Sequence, residues 1–154
     1  MFNFFKKNNT VVAPVTGIFK QLADLSDPVF SKGMMGSGFA IKPEDKKIVA
    51  PVEGIITSIF PTKHALGLKT SSGTEILLHI GIDTVELNGK GFDVKVREGQ
   101  KVHSGELLMI VDFELLEREN KACDVIVVFV DYKKDLIIPS LDKLITNQRI
   151  LELT

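Results

Sequence analysis

The chain has 154 residues, 44% of them hydrophobic, enough for one domain with a real core. Its 19 Lys and Arg face 20 Asp and Glu, which excludes the basic excess of a nucleic-acid-binding footprint. A single cysteine, Cys123, excludes an intramolecular disulfide and a thiolate metal cluster and fits a reducing, cytoplasmic setting.

The first nine residues, MFNFFKKNN, carry no apolar stretch of the kind a secretory signal needs. No run in the chain approaches the ~18 apolar residues of a membrane span. Residues 1–9 therefore read as a short tail before a single domain over residues 10–154. A segment this short is marginal as a helix, so no stable membrane insertion is expected of it.

Turn signals then recur along the chain: SDP, KPED, PVEG, SSG, LNGKG, REGQ and HSG. Between them lie the short β-rich runs KIVAPV, GIITSIF, TEILLHIGI, KVHSGELLMIV and DVIVVFV. This rhythm predicts an all-β fold, an antiparallel sandwich or barrel with short helical turns. LADL suits a turn, DFELLEREN a short helix or loop, and SLDKLIT another. APVTGIF at Ala13–Phe19 recurs as APVEGIITSIF at Ala50–Phe60, which points to a partly duplicated sheet.

The run TEILLHIGID raises the chemical question, because it sets His79 among buried-strand residues. A histidine there has two ring nitrogens to satisfy and titrates near neutral pH. A two-residue loop at Ser71-Ser72 would place His64 directly opposite His79, with Leu66 facing Leu77 and Leu68 facing Glu75. Opposed residues have Cβ atoms about 4.5–5.5 Å apart. A three-residue loop would slip the register and put the two rings on opposite faces. Paired imidazoles suit three uses. Two ligands are too few for a closed zinc site. An acid–base pair would want further polar groups in a cleft. A nucleophilic ring supported by its neighbour would attack phosphorus and hold a labile phosphoryl group. His103, between two turn signals, reads as a surface residue with no partner.

TKHALGLKTSSGTEILLHIGIDTVELNGKGF, with APVTG, VFSKGMMGSGFAIKP, VAPVEGII and EGQKVHSGELL, resembles the glucose-type IIA component of the bacterial phosphoenolpyruvate-dependent sugar phosphotransferase system. The resemblance runs from about Val12 almost to the C-terminus. It implies an antiparallel β-sandwich with a shallow site. It implies that His79 takes a phosphoryl group on Nε2 from the phosphocarrier HPr and passes it to the IIB domain of a sugar permease. His64 would support the transfer, Thr62 would hydrogen-bond and orient the His64 ring, and Asp27 and Asp83 would flank the site. Val29, Phe30, Met34, Met35, Phe60, Leu77 and Val85 would form an apolar ring for docking, with Phe30, Met34, Met35 and Phe60 exposed. No cofactor and no bound metal are implied. Regulatory protein targets are a further possibility of the family.

Another reading is a swinging-arm carrier of the biotinyl or lipoyl type, with Lys46 or Lys47 as the carrier. The Met-Lys-Met signature is absent, and both lysines crowd the Ala-Pro-Val. GMMGSG lacks the Gly-Lys-Ser/Thr of a phosphate-binding loop and opens no helix.

Overall fold

Alternating apolar residues between frequent turns favour short strands, and a computed structural model describing residues 8–132 and 136–153 is built from them. In chain order they are β1 (Thr10–Val12), β2 (Gly17–Gln21), β3 (Ser37–Pro43), β4 (Lys47–Val49), β5 (Gly54–Ile59), β6 (Ala65–Lys69) and β7 (Glu75–Ile80). There follow β8 (Phe92–Val94), β9 (Lys101–Val102), β10 (Leu107–Val111), β11 (Val125–Val130), β12 (Lys143–Leu144) and β13 (Arg149–Glu152). Every pairing is antiparallel. The eight-stranded sheet runs β12-β2-β3-β11-β7-β6-β5-β9, and smaller sheets run β4-β10-β8 and β1-β13. The fold is the expected all-β sandwich with few short helices. Among the described residues no helix is long and apolar enough to cross a membrane. Residues 1–7, most of the tail, lie outside the described residues.

The helical elements are brief: α1 (Pro28–Ser31), α2 (Phe113–Arg118), and single turns at Leu22–Asp24 and Thr84–Leu87. Asp27 and Asp112 cap α1 and α2 with their side chains. Two expectations change. SLDKLIT, read as a short helix or loop, carries a strand: Lys143 and Leu144 pair with Ile18 and Gly17 as the edge strand β12, and Leu144 is fully buried there. KVHSGELLMIV is two strands, because Gly105 adopts φ +88° in a turn between β9 and β10.

The repeated Ala-Pro-Val marks a real duplication. Gly17 pairs with Leu144 and Ile18 with Lys143; in the same pattern Gly54 pairs with Val102 and Ile55 with Lys101. Val11 and Val12 meet Leu151 and Arg149, skipping one residue, just as Ile48 and Val49 meet Met109 and Leu107. The two repeats also clasp each other: the Val12 amide donates to the Pro51 carbonyl and the Val49 amide to the Pro14 carbonyl, both at 2.8 Å. In the large sheet the correspondence continues inward to the Val127–Leu78 pair, through which the approximate twofold passes.

The sheet faces two different environments. Phe39, Ile41, Leu66, Leu68, Ile76, Leu78, Ile80, Val125, Val127 and Phe129 point into the main core. The opposite face carries a smaller cluster, in which Ala40, Ala65, Leu77, Ile126 and Val128 are covered by Leu22, Leu25, Phe30 and Ile82. This second face holds the histidines.

Candidate functional site

Strand alternation answers why a histidine interrupts an apolar run. Ile76, Leu78 and Ile80 fill the main core, whereas His79 shares the outer face with Leu77. Its neighbours across the sheet are Ile126 on β11 and Ala65 on β6. Ala65, not His64, is therefore opposite His79, one residue away from the expected register.

The loop is the cause. The Thr70 amide donates to the Thr74 carbonyl at 3.0 Å and the Gly73 amide to the Thr70 carbonyl at 2.9 Å. Ser71, Ser72 and Gly73 thus form a three-residue loop, and Gly73 closes it at φ +89°. On strand alternation alone this register would separate the rings. They meet nonetheless, with centroids 4.9 Å apart and planes at 83°. His64 precedes β6 and follows Lys63, whose φ of +62° breaks the alternation. The turn at Phe60–Lys63, closed by a 2.7 Å bond from the Lys63 amide to the Phe60 carbonyl, aims the ring instead of the strand.

Each ring is held from behind. Thr62 Oγ1 lies 2.7 Å from His64 Nδ1, and the Phe60 ring meets His64 edge-on at 5.5 Å. Phe30 lies against His79, with ring centroids 5.0 Å apart. Burial lowers the pKa of His64. Burial also pulls His79 down to about 4, helped by His64 and opposed by the Gly81 backbone and the Asp27 carboxylate. Both imidazoles are neutral at pH 7. His79 Nδ1 is fully enclosed and makes no hydrogen bond of good geometry, although the Gly81 backbone is near enough to favour a proton on the ring. Nε2 is the nitrogen left for chemistry.

Asp27 accepts from the Val29 amide at 2.8 Å as the cap of α1. Asp83 is exposed at φ +60°, leading into the Thr84–Leu87 turn. Val29, Met34, Met35, Phe60 and Val85 are exposed large apolar residues. Phe30 is not: it is only 5% exposed, against 71% for Met34. The capped turn of α1 directs Phe30 inward onto His79 while Val29 faces out. Leu77 is likewise buried in the cluster beneath the rings. Of the four residues expected to be exposed, Met34, Met35 and Phe60 are, and Phe30 is not.

Gly81 escaped the sequence reading. The glycine following the strand in HIG was its available signal. It adopts φ +74°, and a Cβ there would meet the Ala122 carbonyl at 2.7 Å, so no larger residue fits beside the ring. His103 is exposed as expected, but it has a partner: Nδ1 lies 2.9 Å from Glu53 Oε1. Among the described residues no three His, Cys, Asp or Glu side chains gather as a metal site. Lys46 and Lys47 are exposed at the start of β4, their amides bound by the Asp45 carboxylate.

This fold is shared with known proteins. The chain belongs to the EIIA 1 family of the phosphoenolpyruvate-dependent sugar phosphotransferase system, whose model matches residues 9–135. That membership displaces the swinging-arm reading. The glucose-specific EIIA component of Staphylococcus epidermidis is 46% identical over 116 residues, covering 75% of this chain and 70% of that protein. The glucosamine-specific EIICBA component of Bacillus subtilis is 46% identical over 128 residues, 83% of this chain but only 20% of that longer protein. Glucose permease IIA from Mycoplasma capricolum superposes with a TM-score of 0.85 at 39% identity, over 97% of each chain.

Proposed function

We propose that the chain is a phosphohistidine carrier: His79 receives a phosphoryl group from phospho-HPr and delivers it to the IIB domain of a sugar permease. The observation that carries this reading is a neutral His79 with Nδ1 enclosed, 4.9 Å from a second neutral imidazole. The Nε2 lone pair attacks phosphorus. The donor's N–P bond breaks and its electron pair returns to the donor imidazole. In the second step a cysteine thiolate of IIB attacks, and the pair of the His79 N–P bond returns to Nε2.

His64 assists without carrying the group. A Thr62 hydroxyl donating to His64 Nδ1 leaves the proton on Nε2, where it stabilises phosphoryl oxygens as charge develops. Asp27 and Asp83 offer carboxylates to basic groups of the partners, around the apolar rim of Val29, Met34, Met35, Phe60 and Val85. Regulatory proteins are candidate occupants of the same rim. Incubation with phosphoenolpyruvate, Enzyme I and HPr, followed by mapping of an acid-labile phosphate, tests the assignment. Phosphate on His79 supports it. Histidine labelling that persists in His79→Gln overturns it.

A further inference from the structure

One partly buried ion pair has no part in the chemistry above, yet it sits on the face that carries the histidines. Lys20, on β2, and Asp124, just before β11, meet with Nζ 3.1 Å from Oδ1. Asp124 is 8% exposed. Lys20 is only half-buried, so the enclosed partner is the carboxylate: removing the lysine leaves Asp124 as an uncompensated buried charge, and the pair thereby ties β2 to the start of β11.

Those surroundings lead to His79 from two sides. The Asp124 carbonyl accepts from the Gly81 amide at 2.7 Å, and the neighbouring Ala122 carbonyl accepts from the Ile82 amide at 3.1 Å. The segment around Asp124 is thus the wall against which the Gly81 backbone rests beside the enclosed His79 Nδ1. On the other side, Lys20 directly precedes the segment that begins at Gln21. That segment supplies Leu22 and Leu25 to the outer cluster, Asp27 near His79, and Phe30 against its ring. The ion pair ties the root of this cover to the wall behind the acceptor.

We propose that Lys20 and Asp124 are positioning residues for phosphoryl transfer, locking the Gly81 backbone and the Phe30 segment so that His79 keeps its proton on Nδ1 and its lone pair on Nε2. This rests on the carrier reading. The geometry needed is strict, since a misplacement of about 1 Å at a reacting centre can cost a factor of roughly a hundred.

The test uses the full chain and the variants Asp124→Asn, Lys20→Gln and Lys20→Arg. Nitrogen-15 NMR of labelled histidine reads the His79 tautomer without any partner present. Single-turnover donation to a saturating IIB domain reads the chemical step. The expected result is a mixed tautomer and a roughly tenfold slower saturated step in Asp124→Asn and Lys20→Gln. The half-saturating IIB concentration stays unchanged, and Lys20→Arg restores both signals. If Asp124→Asn fails to fold, Lys20→Gln carries the decision. A folded Lys20→Gln with the wild-type tautomer and donation rate overturns the proposal, as does a loss confined to thermal stability. A wild-type chain that takes no phosphate from HPr would overturn the carrier reading instead, while the tautomer measurement would still decide whether the pair positions the ring.

Discussion

The acidity of His79 gives the sharpest test of the site's physics. In an unfolded chain a histidine titrates near 6.5, whereas the folded ring is lowered to about 4, chiefly by burial. Between those values the unfolded chain binds a proton that the native ring refuses. Stability therefore falls as pH drops from about 6.5 toward about 4, and the deficit is complete below the folded value. The gap corresponds to roughly 3 kcal/mol. His64, also lowered by burial, adds a contribution of the same sign. Urea unfolding of wild type and His79→Gln between pH 4 and 7.5 isolates the His79 share, because glutamine does not titrate. The wild-type stability should decline by about 3 kcal/mol more than that of the variant over this window. Parallel curves, or a His79 ring midpoint near 6.5 by NMR, would refute the claim that the ring is held neutral by enclosure.

His64→Gln should raise the His79 pKa above about 4, since the neighbouring ring lowers it; NMR titration reads the change. The same variant should still accept phosphate on His79 but donate it slowly to IIB, with Thr62→Ala showing a milder form in the same timed assay. Phe30→Ala should cost roughly 3 kcal/mol in urea unfolding, as expected for a buried aromatic, whereas Met35→Asp should leave the unfolding midpoint in place and weaken transfer from HPr.

The strands were legible because their apolar residues alternate between strong turn signals, and the duplication because Ala-Pro-Val begins both copies. β12 was missed because two residues carry no period, and only their partners Gly17 and Ile18 make them a strand. Both histidines are visible from residue type and spacing, but spacing alone does not decide between a two-residue and a three-residue loop. Gly73 signals a left-handed position that closes three residues as readily as it flanks two. The rings meet because Lys63 leaves the allowed strand region, a conformation that no composition rule assigns to lysine. Phe30 and Val29 are neighbours of similar character. Which one faces inward depends on a cap and a four-residue helix, a local geometry finer than sequence periodicity resolves.

The duplicated frame also shows what makes one half chemical. By the strand pairings, the counterpart of His79 is Val128 and that of Ala65 is Gly38, so the residue matching His64 is Ser37. The halves diverge first in β5, where Thr57 is an extra residue between Ile56, opposite Leu68, and Ser58, opposite Gly67. The matching strand β2 has no bulge, and the residue matching Gly67, on its neighbour β3, is Ala40. A Cβ on Gly67 would lie 2.5 Å from Ser58 Oγ and 2.9 Å from Thr57 Oγ1, so the glycine is the consequence of the bulge. Bulges bend and twist a strand, and this one leads straight to Phe60 and the turn that aims His64. Gly67→Ala should therefore destabilise the chain by about 1–3 kcal/mol through crowding. Deleting Thr57 should abolish that cost, because β5 would then match β2, opposite which an alanine already fits on β3. A double-mutant cycle by urea unfolding measures the coupling. Strictly additive effects would mean that Gly67 answers to something other than the bulge, and that the divergence of the two halves begins elsewhere than in β5.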